Sequence, residues 1–335
     1  MKIVIQGYAV CCQNDSGGVQ NRLRKIASLL SERGICVELF NPFETKLSRG
    51  DILHVFMLNF ENSPLIQYAK AMGVKVVIST IVPLIDENKL RIYKLFEKFP
   101  LMSTYKLNKR SLNLADCLIT ESQMESDFIK KYYSIDALKM HVIPNGIDVD
   151  NYDGDEIFQE IGTHEKYVLQ VGRFDSNKNQ LNVIKALKGK PYHLVFVGGA
   201  EKRSNKYYER CLGEAEGYKN IHFLGWLDNH SKLFQSAYSH ADTVILASYY
   251  ETFGLTALEG GAKGAKLAFS NTLPICRYSE FQNCPSFNPS NIKDIESVIT
   301  ACVEEINDGK LKERVINGFN WNTIIDKHIA LYNSI

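Results

Sequence analysis

Four charged side chains in the second half of this 335-residue chain have the types and spacing to hold a polyanion beside a hydroxyl-rich group. Arg173 and Lys178 stand five positions apart in VGRFDSNKN, a polar turn between an apolar run and an amphipathic one. Arginine offers a planar fork and lysine a point charge, which together match the oxygens of a diphosphate. Two bases in a loop are equally compatible with simple solvation. Their expected position after a strand is what favours a ligand. Glu251 and Glu259 follow in ASYYETFGLTALEGGAKGAK. Each carboxylate could accept hydrogen bonds from hydroxyl groups. The surroundings of Glu259 are apolar and small, so its charge requires a partner. A helix beginning at Gly254 or Leu255 would aim the N–H groups of Gly254, Leu255 and Thr256 at an anion.

Such groups need a scaffold, and the hydrophobic pattern supplies one. KIVIQ, ICVELF, ILHVF, VKVVIS, DCLIT and HVIP read as buried strands of the first half. YVLQV, HLVFVG, IHFLG, DTVILA and KLAFS repeat the pattern in the second. Near-continuous Val/Ile/Leu runs suit parallel sheets covered on both faces. Amphipathic stretches separate them, such as Val19–Arg33 with Leu23, Ile26, Ala27 and Leu30 on one face. The fold class expected is therefore α/β, two Rossmann-like domains joined near Pro144-Asn145-Gly146. The boundaries read as 1–147 and 148–319, with a last helical segment over 320–335. Residues 148–165 show no strong periodicity and read as a linker. Asp148-x-Asp150 and Asp153-x-Asp155 fall there, and read as solvated acids rather than metal ligands. In open parallel sheets ligands bind at the carboxyl ends of the strands. Gly17-Gly18, between the first strand and its helix, lets a ligand approach backbone N–H groups. Alone it is equally a plain turn. No G-x-G-x-x-G and no Walker A pattern occurs, so a nicotinamide cofactor and a P-loop both lose their support.

Composition agrees. Apolar residues make up 45% and charged residues 23%, which excludes disordered and fibrous chains. The net charge is +1, so no global field draws the protein to nucleic acid. Eight cysteines include no C-x-x-C, and several sit in apolar, strand-like runs as small hydrophobes. That usage fits a reducing, cytoplasmic setting. MKIVIQGYAVCC resembles a signal peptide only faintly, and no apolar run approaches the ~18 residues of a membrane helix.

Taken in order, Gly17-Gly18, ADCLITES, IPNGID, Gly172-Arg173 with Lys178, IHFLGW and the pair Glu251 and Glu259 resemble the retaining glycosyltransferases of family 4. The resemblance spans nearly the whole chain. It implies the GT-B fold, with two facing Rossmann-like domains, a nucleotide sugar between them and a last helix, from Trp321, crossing back to the first domain. It implies that Arg173 and Lys178 hold the donor diphosphate, that Glu251 contacts the donor sugar and that Glu259 takes the ribose hydroxyls. Phe253, Gly254, Leu255 and Thr256 would add main-chain contacts. Gly172 and Gly17 would line the donor site, Gly198-Gly199 and Trp226 the base, and Gly18 the phosphate or anomeric region. The activity implied is transfer of a sugar, with retention, from a UDP- or GDP-linked donor to a glycan or lipid-linked hydroxyl in surface polysaccharide synthesis. No cofactor or metal is expected. One departure stands out. Relatives carry a histidine after the fourth strand, where this chain reads VVISTIVPLID with Ser79, Thr80 and Asp86. His54 is expected at the end of the third strand in a structural role. Alternatives are a silent nucleotide-sugar-binding module and a GT-B sugar-nucleotide epimerase.

Between Lys89 and Arg110 seven basic residues face one acid, Glu97, among Tyr93, Phe96, Phe99, Leu101, Met102 and Tyr105. A basic face with apolar neighbours can rest on an anionic membrane surface at ~1 kcal/mol per basic residue. An ordinary amphipathic helix pair explains the same residues. The protein is expected in the cytoplasm, placed peripherally on the inner face of the membrane.

Overall fold

A computed structural model describes residues 2–7, 18–82, 87–95, 97, 99, 102–149, 151–201 and 204–335. Gly17, Asp86, Phe96, Leu101, Asp150 and the side chain of Lys89 lie outside the described residues. The chain divides into two compact units, residues 1–145 with 321–335, and residues 146–320.

The first unit is a six-stranded parallel sheet of β1 (Lys2–Gln6), β2 (Cys36–Leu39), β3 (Ile52–Phe56), β4 (Lys75–Ser79), β5 (Cys117–Thr120) and β6 (Met140–Val142). Its order is β2-β1-β3-β4-β5-β6. Alternate strand residues feed two separate cores. Ile3, Ile5, Phe56 and Val77 pack under α1 (Gly18–Glu32), while Val4, Leu53, Val55 and Ile78 face the other side. That second face is covered by α2 (Ser63–Ala71), α4 (Thr104–Leu114) and α5 (Gln123–Tyr133), with α3 (Glu87–Leu95) against α5. The last helix of the chain, α13 (Trp321–Asn333), belongs to this unit. Trp321, Ile324, Ile325, Leu331 and Tyr332 enter the core beneath α1, and Arg33 ties the two helices through Asp326 and Asn322.

The second unit repeats the design with β7 (Tyr167–Val171), β8 (His193–Val197), β9 (Ile221–Phe223), β10 (Thr243–Leu246), β11 (Lys266–Ser270) and β12 (Ser286–Phe287). All are parallel, in the order β12-β11-β10-β7-β8-β9. This is the Rossmann order, in which the chain reverses direction between β7 and β10. α7 (Gln180–Leu187), α8 (Asn205–Ala215) and α11 (Ile292–Glu304) cover one face. α9 (Lys232–Ser239), α10 (Leu255–Lys263) and α12 (Lys310–Phe319) cover the other.

Several expectations need correction. β12 was not expected from the sequence, because two residues give no periodicity. The stretch read as a linker holds α6 (Glu156–Ile161), whose Ile157 and Ile161 join the core, and Asp155 sits at its N-terminal boundary. Cys36 lies in a strand yet is exposed, since β2 is a sheet edge. His54 is the centre of β3 rather than its end.

His54 belongs to a buried polar network. Its Nε2 meets Ser79 Oγ at 2.9 Å and its Nδ1 the Tyr332 hydroxyl at 2.8 Å. Desolvation holds the His54 imidazole well below the ordinary histidine range, and His328 beside it at about 3. On the opposite face Glu125 accepts from Thr80 Oγ1 at 2.7 Å, Val82 N at 2.7 Å and Glu121 N at 2.6 Å. Burial, reinforced by the Glu121 charge, raises its carboxyl to about 7. Arg22 neutralises Glu121 in a buried pair and donates to the Ile143 carbonyl at 3.1 Å. The two effects on stability oppose each other. The folded state binds protons less tightly than the unfolded chain at the histidines, so their contribution is lost as pH falls below about 6.5. At Glu125 the folded state binds its proton more tightly, so stability falls as pH rises from the ordinary carboxyl range toward 7. Between pH 7.5 and 5, His328 alone costs on the order of 2 kcal/mol, and Glu125 offsets a similar amount. Urea unfolding of Glu125→Gln will therefore show a steeper loss on acidification than wild type. Parallel pH curves would rule this balance out.

Candidate functional site

At the reversal between β7 and β10, α7 and α10 leave toward opposite faces of the second sheet. The loops after those two strands, 172–179 and 247–254, therefore line a crevice at the carboxyl edge, where open α/β sheets take ligands. Arg173 and Lys178 lie in the first loop and Glu251 in the second. Lys178 Nζ and Glu251 Oε1 stand 2.6 Å apart, and Ser248 Oγ reaches the same oxygen at 2.6 Å. Both partners are about four-fifths buried (side-chain exposures of 19% and 18%), so water screens this pair less than a surface one. Arg173 differs. It is half exposed, held by Asp175 at 2.6 Å and near Glu201 at 3.5 Å, with its guanidinium open to an incoming anion.

Neither loop stands unsupported. Asn177 donates from Nδ2 to the Tyr250 carbonyl at 3.0 Å and accepts from Tyr250 N at 3.2 Å, while its carbonyl accepts from Tyr249 N at 2.9 Å. Gln170 and Gln180 donate to the carbonyls of Lys178 and Arg173, at 2.7 and 2.9 Å. Asn179 closes the turn with φ 62, a conformation its short amide tolerates. Asn177, Ser248 and the two glutamines were not singled out from the sequence. Their roles come from partners distant in the chain.

Gly254 precedes α10, and no side chain caps that helix. The N–H groups of Leu255 and Thr256 thus carry the positive end of the helix toward the crevice. Thr256 Oγ1 reaches the Val171 carbonyl at 3.4 Å, tying the helix to β7. The Phe253 side chain is buried against Tyr278 and Phe319, which leaves only its backbone for a ligand. Glu259, on the second turn of α10, is partly buried and accepts a hydrogen bond from the Tyr238 hydroxyl. Desolvation raises its carboxyl above the ordinary glutamate range, against the pull of Tyr238 and of the Lys178 charge.

The next loops along the sheet complete the edge. Gly172 N donates to the Val197 carbonyl at 2.9 Å, Phe174 N to Gly199 O at 2.8 Å and Gly198 N to Gly225 O at 2.7 Å. At Gly199 an added Cβ would lie 2.5 Å from the Trp226 indole nitrogen, so only glycine lets that exposed ring lie across the loop. An exposed indole beside a backbone-lined edge can stack on an aromatic base. In the first unit Gly18 is the exposed first residue of α1, beside the β1/β3 reversal of that sheet. Ser79 and Thr80 are fully buried and engaged with His54 and Glu125. Neither takes the position of an open acid or base.

Two Rossmann-type units, with cations, carboxylates and a helix end gathered at one switch point, define the GT-B class. Structures across that class confirm the architecture. A sucrose-phosphate synthase from Thermosynechococcus elongatus superposes with a TM-score of 0.78 at 18% identity, over 100% of this chain and 99% of its own. Anabaena HepE, solved with UDP, gives 0.76 at 17% identity over 100% of both chains. The family model "Glycosyl transferases group 1" matches residues 153–310, and "Glycosyltransferase Family 4" matches 47–151. Between them the two models cover most of the chain, which belongs to the glycosyltransferases they describe. Among curated relatives, a D-rhamnosyltransferase of Pseudomonas aeruginosa is 27% identical over 76% of this chain and 64% of its own length. A UDP-Gal:alpha-D-GlcNAc-diphosphoundecaprenol alpha-1,3-galactosyltransferase of Escherichia coli is 26% identical over 79% and 70%. A glycogen synthase of Mycobacterium tuberculosis is matched over 54% of its length, so the chain spans between half and two thirds of several relatives. Among the described residues no helix is long and apolar enough to cross a membrane.

Proposed function

We propose that the protein transfers a sugar, with retention, from a UDP- or GDP-linked donor to a hydroxyl of a glycan or lipid-linked acceptor during surface polysaccharide assembly. The observation that carries this reading is the Lys178–Glu251 pair beside the uncapped start of α10. It sets a cation for a phosphate next to an anion for sugar hydroxyls. Departure of the diphosphate builds negative charge on its oxygens. Arg173, Lys178 and the α10 amides meet that charge where it grows, in place of a divalent ion. Glu251 orients the donor sugar, and Glu259 accepts from the ribose. Gly172, Gly199 and Trp226 border the nucleoside. The relatives that act on rhamnose and on a diphosphoundecaprenol-linked acceptor support the reading at the level of reaction class.

Calorimetric titration with UDP, GDP, ADP and CMP tests it. One diphosphate is expected to bind preferentially, and Arg173→Ala with Lys178→Ala to abolish that binding. If none binds, the site is not a donor site, and a silent module becomes the better account.

The acceptor side suggests peripheral membrane docking through residues 89–110. Ile92, Tyr93, Leu95, Phe99 and Met102 are exposed there, beside Arg91 and Lys94 on α3 and Lys106 and Arg110 on α4. Lys109 is taken up by Glu97 at 2.6 Å. Sedimentation with phosphatidylglycerol vesicles should weaken in high salt and with Lys94→Glu and Lys106→Glu. Binding indifferent to both changes would refute docking through this segment.

A further inference from the structure

Tyr238 is the next-to-last residue of α9, and the function just proposed gives it no task. Its ring is 2% exposed and packs edge-to-face on Phe234, with centroids 5.2 Å apart. Its hydroxyl donates to Glu259 Oε2, across the packing of α9 on α10. Thr256, one turn before Glu259, lies beside that hydroxyl. A glutamate carries three rotatable bonds and sweeps a wide volume unless something holds its carboxylate. Here a buried, immobile phenol holds one oxygen and leaves Oε1 to accept from a ligand. The phenol itself stays protonated, because burial and the Glu259 charge push its titration well above the ordinary tyrosine range. It is thus a permanent donor to the carboxylate.

We propose that Tyr238 is a positioning residue for nucleotide selection, fixing Glu259 so that the site prefers ribonucleoside over 2′-deoxyribonucleoside diphosphates. The inference rests on the donor-site reading above and adds the residue that makes Glu259 selective. A carboxylate fixed against both hydroxyls of a ribose leaves an unfilled hydrogen bond when one is missing. A carboxylate free to rotate turns to water instead, and the discrimination fades. Loss of the phenolic donor also makes Glu259 easier to protonate, since that bond favours its charged form.

The test titrates wild type, Tyr238→Phe and Glu259→Ala with the diphosphate that wild type prefers and with its 2′-deoxy counterpart. Wild type should favour the ribonucleotide by about tenfold or more, the scale of one unfilled polar contact. Tyr238→Phe should weaken the ribonucleotide by about that factor and leave the deoxynucleotide nearly unchanged, converging on Glu259→Ala. Glu259→Asp withdraws the carboxylate from the phenol without disturbing the buried ring, and should flatten the preference in the same way. A purely structural role for Tyr238 would weaken both nucleotides equally, and that result overturns the inference. So does an undiminished preference in Tyr238→Phe, or none in wild type. If wild type binds no nucleoside diphosphate at all, the donor-site reading fails and this inference falls with it.

Discussion

Replacing Glu251 by glutamine will tighten the binding of a bare nucleoside diphosphate while sharply slowing transfer from the sugar nucleotide. In the unliganded site the Lys178 ammonium is neutralised by Glu251 at 2.6 Å. An incoming diphosphate must share that cation and tolerate the nearby carboxylate. At an effective dielectric near 20, unit charges ~4 Å apart interact by ~4 kcal/mol, so even partial relief is worth about fivefold to tenfold in affinity. Glutamine keeps the shape and the Ser248 contact but removes the charge. Without it the donor sugar loses its charged acceptor, and turnover should fall by ~10²-fold or more. Lys178→Ala has the opposite sign for binding. It deletes the cation and leaves Glu251 unpaired beside the diphosphate, which should cost roughly 2–5 kcal/mol, at least thirtyfold. Arg173→Ala should cost less, because its half-exposed guanidinium already works in water and is held by Asp175. Calorimetry on the three variants decides the matter. If Glu251→Gln weakens the diphosphate in step with Lys178→Ala, the pair is merely structural.

Gly198→Ala will unfold or grossly destabilise the second unit, although it changes one hydrogen into a methyl group. An alanine Cβ there would stand 2.2 Å from the Gly172 carbonyl oxygen and 2.7 Å from its carbon. Both are backbone atoms and cannot swing aside. Gly198 also has φ 129, a conformation closed to side-chain-bearing residues. Relief would require parting β7 from β8 at their carboxyl ends, where Gly172 N bonds Val197 O and Gly198 N bonds Gly225 O. The cost should exceed ~4 kcal/mol, a large share of an ordinary domain's stability. Gly213→Ala is the matched control. It lies in α8 with open space around it, and should gain roughly 0.5–1 kcal/mol. Urea unfolding that ranks the two variants together would contradict the geometry.

The contrast between those glycines shows how far a sequence can be read. Both look like glycines at the margin of an element, and only the approach of the Gly172 backbone separates them. The strands from KIVIQ to KLAFS were legible because burial on both faces of a parallel sheet demands unbroken apolar runs. β12 escaped because two residues carry no pattern, and α6 because it is only six residues long and sits among acids. Arg173, Lys178, Glu251 and Glu259 were legible as chemistry. Each is a charged side chain where local patterning leaves a loop end or a small apolar helix. Ser248, Asn177 and Tyr238 were not, since serine, asparagine and tyrosine are ordinary in such contexts.

By itself the sequence determined the alternation of strand and helix, the places where the chain must turn, and which side chains carry charge at those turns. These properties arise from backbone sterics and hydrophobic periodicity, which act over a few residues. Tertiary structure alone decided that Lys178 meets Glu251 across 73 positions and Arg22 meets Glu121 across 99. It alone decided that β7 lies beside β10 rather than at a sheet edge. Such pairings depend on the order in which crossovers lay strands side by side. That order follows from how helices cover both faces of a twisted sheet, not from any local run of residues.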